Sequence, residues 1–207
     1  MSYTLYGDLG SGAFSAEAAL AEAGAPYRFE MVSLDKNEQK QPAFLAINPS
    51  GKIPALRLPE GEIVTESAAI LLTLADHFPP ARLLPPQASP ARAYRWLAFM
   101  AGEIYPIVEM VDYPERFGAK ESETEPLRAI AKDRIRERIL IIERMIEGPF
   151  LLPHGFSILD IYAAMFTRWS LEPDWKLANL PRLMALAENV SKRPAIAPVW
   201  ARHFPTS

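Results

Sequence analysis

The chain's 207 residues are 49% hydrophobic and 23% charged, which is ample for one or two buried cores and unlike a disordered chain. A net charge of −3 gives no electrostatic footprint for nucleic acid, and no apolar run approaches a membrane span or a signal peptide, so a cytoplasmic protein is expected. The absence of cysteine excludes disulfides, thiolate nucleophiles and protein dithiol redox chemistry, and the three histidines (His77, His154, His203) lack metal-ligand spacing.

In chain order, Tyr3–Gly7 reads as a short strand, followed by a glycine-rich turn, DLGSG, and a helix over AFSAEAALAEAG closed by Gly24. Residues 27–34 alternate as a second strand. A polar stretch, DKNEQKQ, leads to a brief helix around residues 42–47. PALRL and EIVT are two strands joined by the turn PEGE, and SAAILLTLADH (67–77) is an apolar helix. The order βαβαββα predicts a mixed four-stranded sheet flanked by helices. Residues 78–90 hold five prolines and read as an inter-domain linker.

Beyond the linker the pattern is helical throughout. Residues 91–113 place Trp96, Met100, Ile104, Ile107, Val108 and Val111 at helical spacing, with Pro106 expected to kink the run. Phe99 and Tyr105 lie off that stripe, which suggests a second apolar contact with another subunit or a ligand. Residues 125–147 carry Leu127, Ile130, Ala131, Ile135, Ile139, Ile142 and Ile146 on one side and charges on the other. Ser157 and Asp160 have capping-box spacing ahead of the apolar run IYAAMF. Two more helices are expected, around residues 180–191 and 195–202.

Three segments, NPSGKIPAL (48–56), TESAAILLTLAD (65–76) and GFSILDIYAA (155–164), occur in an order and spacing that resembles the cytosolic glutathione transferases over the whole chain. The resemblance implies a thioredoxin-like, glutathione-binding domain over residues 1–79, a linker over 80–90 and an all-α domain over 91–207. It implies glutathione as co-substrate, no metal, a small hydrophobic electrophile as second substrate, and a homodimer. A cis peptide before Pro54 would leave the N–H and C=O of Ile53 outside the sheet, able to pair with the cysteinyl backbone of a peptide ligand. Glu66 and Ser67 open a helix and would hold the α-carboxylate and ammonium of the γ-glutamyl group; Ser67 would serve equally as a plain helix cap. Lys52, Gln39 or Lys40 would meet the glycine carboxylate.

Such enzymes lower the thiol pKa by donating a hydrogen bond to the thiolate. Ser11, in the turn before the first helix, resembles the catalytic serine of theta-class and related members. Tyr6 is the runner-up, near the place of the tyrosine in other classes, and an activation without any side chain stays open. Aligning on ALAEAG (19–24) places Gly12 where beta-class members carry cysteine. Tyr105, Phe117 and Trp169 are the candidates for the electrophile pocket.

Overall fold

The computed structural model describes residues 2–86 and 88–205, so Gln87 of the proline-rich stretch and the last two residues lie outside it. One unit runs to Leu84 and resumes from Val190, and the other spans Pro85–Asn189. The final helix therefore groups with the first unit rather than with the helices that precede it.

The first unit is a thioredoxin-like α/β domain. Strands β1 (Tyr3–Gly7), β2 (Tyr27–Met31), β3 (Ala55–Arg57) and β4 (Ile63–Thr65) form one sheet in the order β2-β1-β3-β4. β2 runs parallel to β1, whereas β3 is antiparallel to both β1 and β4. Helix α1 (Ala13–Glu22) makes the crossover that two parallel neighbours require. It ends as Gly24 suggested: the Ala25 N–H bonds Leu20 C=O and the Gly24 N–H bonds Ala21 C=O, the paired bonds of a Schellman motif. Leu5, Phe14, Leu20, Leu56 and, from helix α3 (Ser67–His77), Ile70, Leu71 and Leu74 are wholly buried. Val32, Ala55 and Phe44 of the short helix α2 (Pro42–Leu45) form a separate cluster, against which Tyr6, Ile47, Ile53 and Ile63 pack.

Two expectations change here. The second strand stops at Met31 rather than continuing to residue 34. The residue capping α3 is Glu66, and Ser67 is the first helical residue, so Ser67 is not itself the cap.

The second unit is all-helical. In place of one kinked helix it has α4 (Pro90–Phe99), a π-helical turn (Met100–Ile104) and α5 (Tyr105–Asp112). Pro106 has no N–H and its ring crowds the carbonyl four residues back; the wider turn before it relieves that conflict, and the Tyr105 N–H reaches Met100 C=O. The expected stripe is buried at Trp96, Met100, Ile104, Val108 and Val111. Helix α6 (Thr124–Met145) buries Ala131, Ile135, Ile139 and Ile142. Ile130, expected on that face, is instead 58% exposed, one residue round the helix from the buried stripe.

Helix α7 (Ile158–Phe166) is buried along its whole length. Its capping box is complete. Ser157 N–H and Oγ lie 2.7 and 3.0 Å from Asp160 Oδ2, Leu151 N–H reaches Oδ1 at 2.6 Å, and the Leu159 N–H bonds Ser157 Oγ. Helix α8 (Pro173–Asn179) had no sequence expectation, and α9 (Pro181–Ser191) follows it. The N-terminus of α9 is held by Glu143 of α6, whose carboxylate accepts from the Arg182 and Leu183 N–H groups. Helix α10 (Ala197–His203) belongs to the first unit.

Candidate functional site

The sheet registers bring the candidate residues of the first unit to one end. Ala55 lies opposite Tyr6 on one side and Thr65 on the other. Following both antiparallel registers past Ala55 leads Ile53 toward Asp8 on one flank and Ser67 on the other. The turn after β1 that starts α1 and the Glu66-Ser67 step that starts α3 therefore share one sheet end with Ile53. Both helices direct the positive ends of their dipoles there.

Residues 48–54 are built to deliver Ile53. Asn48 is buried and ties the turn together: its Nδ2 donates to Lys52 C=O at 2.6 Å, and its Oδ1 accepts from the Ser50 N–H and hydroxyl at 3.1 and 2.9 Å. Gly51 has φ +60°, and a Cβ there would stand 2.9 Å from Lys40 Nζ and 3.0 Å from Gln39 C=O, so only glycine fits. The Ile53–Pro54 peptide is cis, as the sequence suggested. The sheet ladder begins at Ala55 and does not take up Ile53. Among the described residues the Ile53 N–H and C=O have no hydrogen-bond partner. Lys52 is exposed; Gln39 is buried, and its Oε1 has no partner among the described residues.

At the start of α3, Glu66 holds φ +62°, a left-handed conformation that costs a non-glycine residue about 1–3 kcal/mol. Its carbonyl accepts the first intrahelical bond, from Ile70, and no side chain caps the helix. The Ala68 and Ala69 N–H groups have no partner among the described residues, while Ser67 lies buried beside them.

At the start of α1, the Ser11 hydroxyl donates to Asp8 C=O at 2.6 Å and accepts from the Ala13 N–H at 3.2 Å. It therefore closes its own turn, and its hydrogen reaches another acceptor only by rotating. Asp8 anchors that turn to the segment after β2, accepting from the Leu34 N–H at 2.7 Å, and accepts from the Leu9 N–H within the turn at 2.8 Å. Tyr6, opposite Ala55, packs on Phe44 with its hydroxyl accepting from Arg57 Nε at 3.3 Å.

Residues 13–77 match the family model described as the glutathione S-transferase N-terminal domain. A glutathione transferase structure from Methylococcus capsulatus is 30% identical, covers 95% of this chain and 96% of its own, and superposes with a TM-score of 0.77. The chain belongs to the glutathione transferase family. A transferase homologue from Sulfitobacter, solved with bound glutathione, is 26% identical over 96% of both chains at a TM-score of 0.83. The maleylacetoacetate isomerase of Pseudomonas aeruginosa is 36% identical over 108 residues, half of each chain.

In the helical unit of this family member, Tyr105 and Trp169 come together. Their ring centroids are 5.6 Å apart, with Tyr162 stacked on Tyr105 at 6.3 Å and Phe166 at the edges of both. Phe117 is 45% exposed and makes no ring contact with that group among the described residues. No group of His, Cys, Asp or Glu among the described residues could hold a metal ion, and no helix of the described residues is long and apolar enough to cross a membrane.

Sequence reasoning missed one cluster beside the first turn. Glu17 of α1 has a wholly buried side chain and is met by the Tyr27 hydroxyl at 2.7 Å, His203 Nε2 at 2.7 Å and the Arg202 guanidinium. His203 Nδ1 accepts from the Gly10 N–H at 3.2 Å. An N–H can only donate, so Nδ1 is the bare nitrogen and Nε2 carries the hydrogen that Glu17 accepts. Burial, then the Arg202 charge, pushes the His203 imidazole down to about 4 against the pull of Asp8. No local sequence signal marks this group, because its members come from α1, β2 and α10.

Proposed function

We propose that the protein binds glutathione at this sheet end and presents its thiolate to a small apolar electrophile. The observation that supports this reading is the meeting of two helix starts with the backbone of Ile53, which the ladder leaves unpaired. A γ-linked tripeptide matches that arrangement group by group. Its cysteinyl N–H and C=O pair with Ile53 beside Pro54, in the manner of an added strand. The γ-glutamyl carboxylate takes the first turn of α3 at Ser67, and its ammonium faces the Glu66 carboxylate. Lys52 and Gln39 serve the glycine end.

The thiol then falls toward the first turn of α1, where the dipole favours the thiolate. Ser11 is the proposed hydroxyl donor, and donation to sulfur requires it to release Asp8 C=O. The Ser11 and Gly12 N–H groups have no partner among the described residues and need no such release. Tyr6 is the runner-up donor, since accepting from Arg57 Nε does not use its own hydroxyl hydrogen. Tyr105, Phe117 and Trp169 are the proposed aromatic contacts for the electrophile.

A glutathione-dependent isomerisation is a second reading, favoured by the 36% match to the maleylacetoacetate isomerase, and it requires the same thiolate.

Titration calorimetry with glutathione tests the binding. Heat is expected for the wild type, with affinity at least about tenfold weaker in Ser67→Ala, as the loss of a charge-assisted bond implies. Unchanged affinity in that variant removes the anion site. Following the ultraviolet absorbance of the bound thiolate against pH then tests activation. An ordinary thiol midpoint in the bound state would leave a binding protein without catalysis. Ser11→Ala raises the midpoint if the hydroxyl is the donor and leaves it in place if the backbone suffices. Turnover with an electrophile panel and with a maleyl substrate separates transfer from isomerisation.

A further inference from the structure

The glutathione reading accounts for Ser11, Ile53, Glu66 and Ser67, but not for the group formed by Gly10, His203, Glu17, Tyr27 and Arg202. We propose that His203, on the last helix, is a positioning residue: through its bond to the Gly10 N–H it holds the 8–12 turn in the shape that meets the thiol. The role rests on the glutathione reading for its consequence.

The turn needs such a restraint. Gly10 has φ +70°, and glycine crosses between left- and right-handed conformations at little cost. Asp8 fixes the front of the turn to Leu34, beyond β2, and Ser11 fixes its back to the start of α1. Between them the Gly10 N–H donates to His203 Nδ1. The same residue's backbone also flanks the turn, since a Cβ on Gly10 would stand 3.6 Å from His203 C=O.

His203 is itself firmly held. Its ring lies 5.6 Å from Phe14, 6.0 Å from Phe29 and 6.0 Å from Phe204, and its far nitrogen is bonded to Glu17. Glu17 is fixed in turn by Tyr27 and Arg202, and Arg202 also lies over the Phe29 ring at 5.0 Å. Glu17 selects the tautomer that leaves Nδ1 bare, and a bare Nδ1 is what the Gly10 N–H requires. A buried carboxylate in α1 thus sets, through a ring on α10, where one amide of the active turn points.

Two substitutions separate the two ring nitrogens. His203→Asn places a carbonyl oxygen where Nδ1 sits and leaves nothing that reaches Glu17. His203→Gln extends an amide to Glu17 and offers no acceptor at the Nδ1 position. Amide exchange at Gly10, followed by NMR in the ligand-free proteins, is expected to stay slow in the wild type and His203→Asn. It should accelerate about tenfold or more in His203→Gln, as expected when a protecting bond is lost. The midpoint for thiolate formation on bound glutathione is expected near the wild-type value in His203→Asn and about one unit higher in His203→Gln, a tenfold smaller thiolate fraction below the midpoint. A generally weakened fold would affect both variants alike, so equal shifts in the two overturn the positioning role. A wild type that binds glutathione while both variants share its midpoint and Gly10 exchange overturns it as well. A wild type that binds none overturns the functional reading, and the positioning role with it.

Discussion

Replacing Asp160 by Asn is the sharpest test of how the helical unit is held. The substitution keeps size and shape, so it opens no cavity and reads hydrogen bonds alone. In the native box Oδ1 accepts from Leu151 N–H and Oδ2 accepts from Ser157 N–H, all buried. An amide offers one oxygen, so its NH₂ must face one of those two donors. Leu151 N–H and one amide hydrogen are then both buried without partners, at about 1–3 kcal/mol each. A loss of about 3 kcal/mol at pH 5 follows, or roughly 6–12 °C in Tm for a chain of this size. Ser157→Ala, which removes a cap and leaves the carboxylate, should cost only about 1 kcal/mol.

The pH dependence of the deficit has a definite sign. Burial raises the Asp160 carboxyl from 3.8 to about 7, against the pull of the Leu151 and Ser157 bonds. Between about 4 and 7 Asp160 keeps a proton in the folded chain that it has released in the unfolded one, so its contribution to stability falls as pH rises. Asn has no such proton. Over the two units from pH 5 to 7 the gap should narrow by up to about 2.7 kcal/mol, at about 1.36 kcal/mol per unit. Urea denaturation of both proteins from pH 4.5 to 8 measures it. A deficit under about 0.5 kcal/mol at pH 5, well below one lost buried bond, or one that widens with pH, refutes the reasoning.

His203 provides the opposite slope. With its folded pKa near 4 against 6.5 unfolded, it should make stability fall as pH drops through that window, so Asp160→Asn gains stability from pH 4 to 6.5 and His203→Asn loses the rise. Parallel profiles in the two variants would contradict both assignments. Gly51→Ala forces a side chain into φ +60° against Gln39 C=O, and should cost about 1–3 kcal/mol and weaken glutathione binding together; calorimetry and melting on the same sample check it, and an unstrained variant with full affinity would show that the turn is not fixed by glycine. Glu172 is held near 2 by Lys132 and Arg136, but its side chain is 46% exposed, so Glu172→Gln should cost under about 1 kcal/mol and less in high salt; a larger melting shift would mean the pair is worth more than its exposure allows.

What the sequence made legible is what neighbouring residues decide among themselves. The Gly24 ending, the Ser157–Asp160 box and the Asn48–Gly51 turn all close hydrogen bonds within about six residues, so residue type and spacing carry the whole argument. The sheet end was legible at one remove, because register follows once strands and turns are placed. Errors came where a local pattern met a longer constraint. Ile130 has helical spacing with its neighbours, yet it sits just past the face that α6 buries. Pro106 announced a kink, and the structure takes it up as a π turn over Met100–Ile104.

The remaining features could not be read because they join segments whose sequence gives no reason to expect contact. Glu143 caps α9 across 40 residues, and His203 reaches Glu17 across 186. In isolation Glu143 and Glu17 are ordinary helical acids and His203 is a lone histidine, each most simply placed in solvent. Burying an acid costs several kcal/mol unless donors meet it, so a wholly buried Glu17 requires the partners that the fold supplies. That requirement runs in one direction only: the structure explains why a buried glutamate has a histidine, a tyrosine and an arginine around it, whereas the letters Glu, Tyr, Arg and His do not say which glutamate is buried. The residues that bind are therefore visible in short motifs, and the residues that aim them are visible only in the assembled fold. His203→Asn and His203→Gln differ in nothing a motif would register, and their separate effects on Gly10 measure how much of the site depends on that second class.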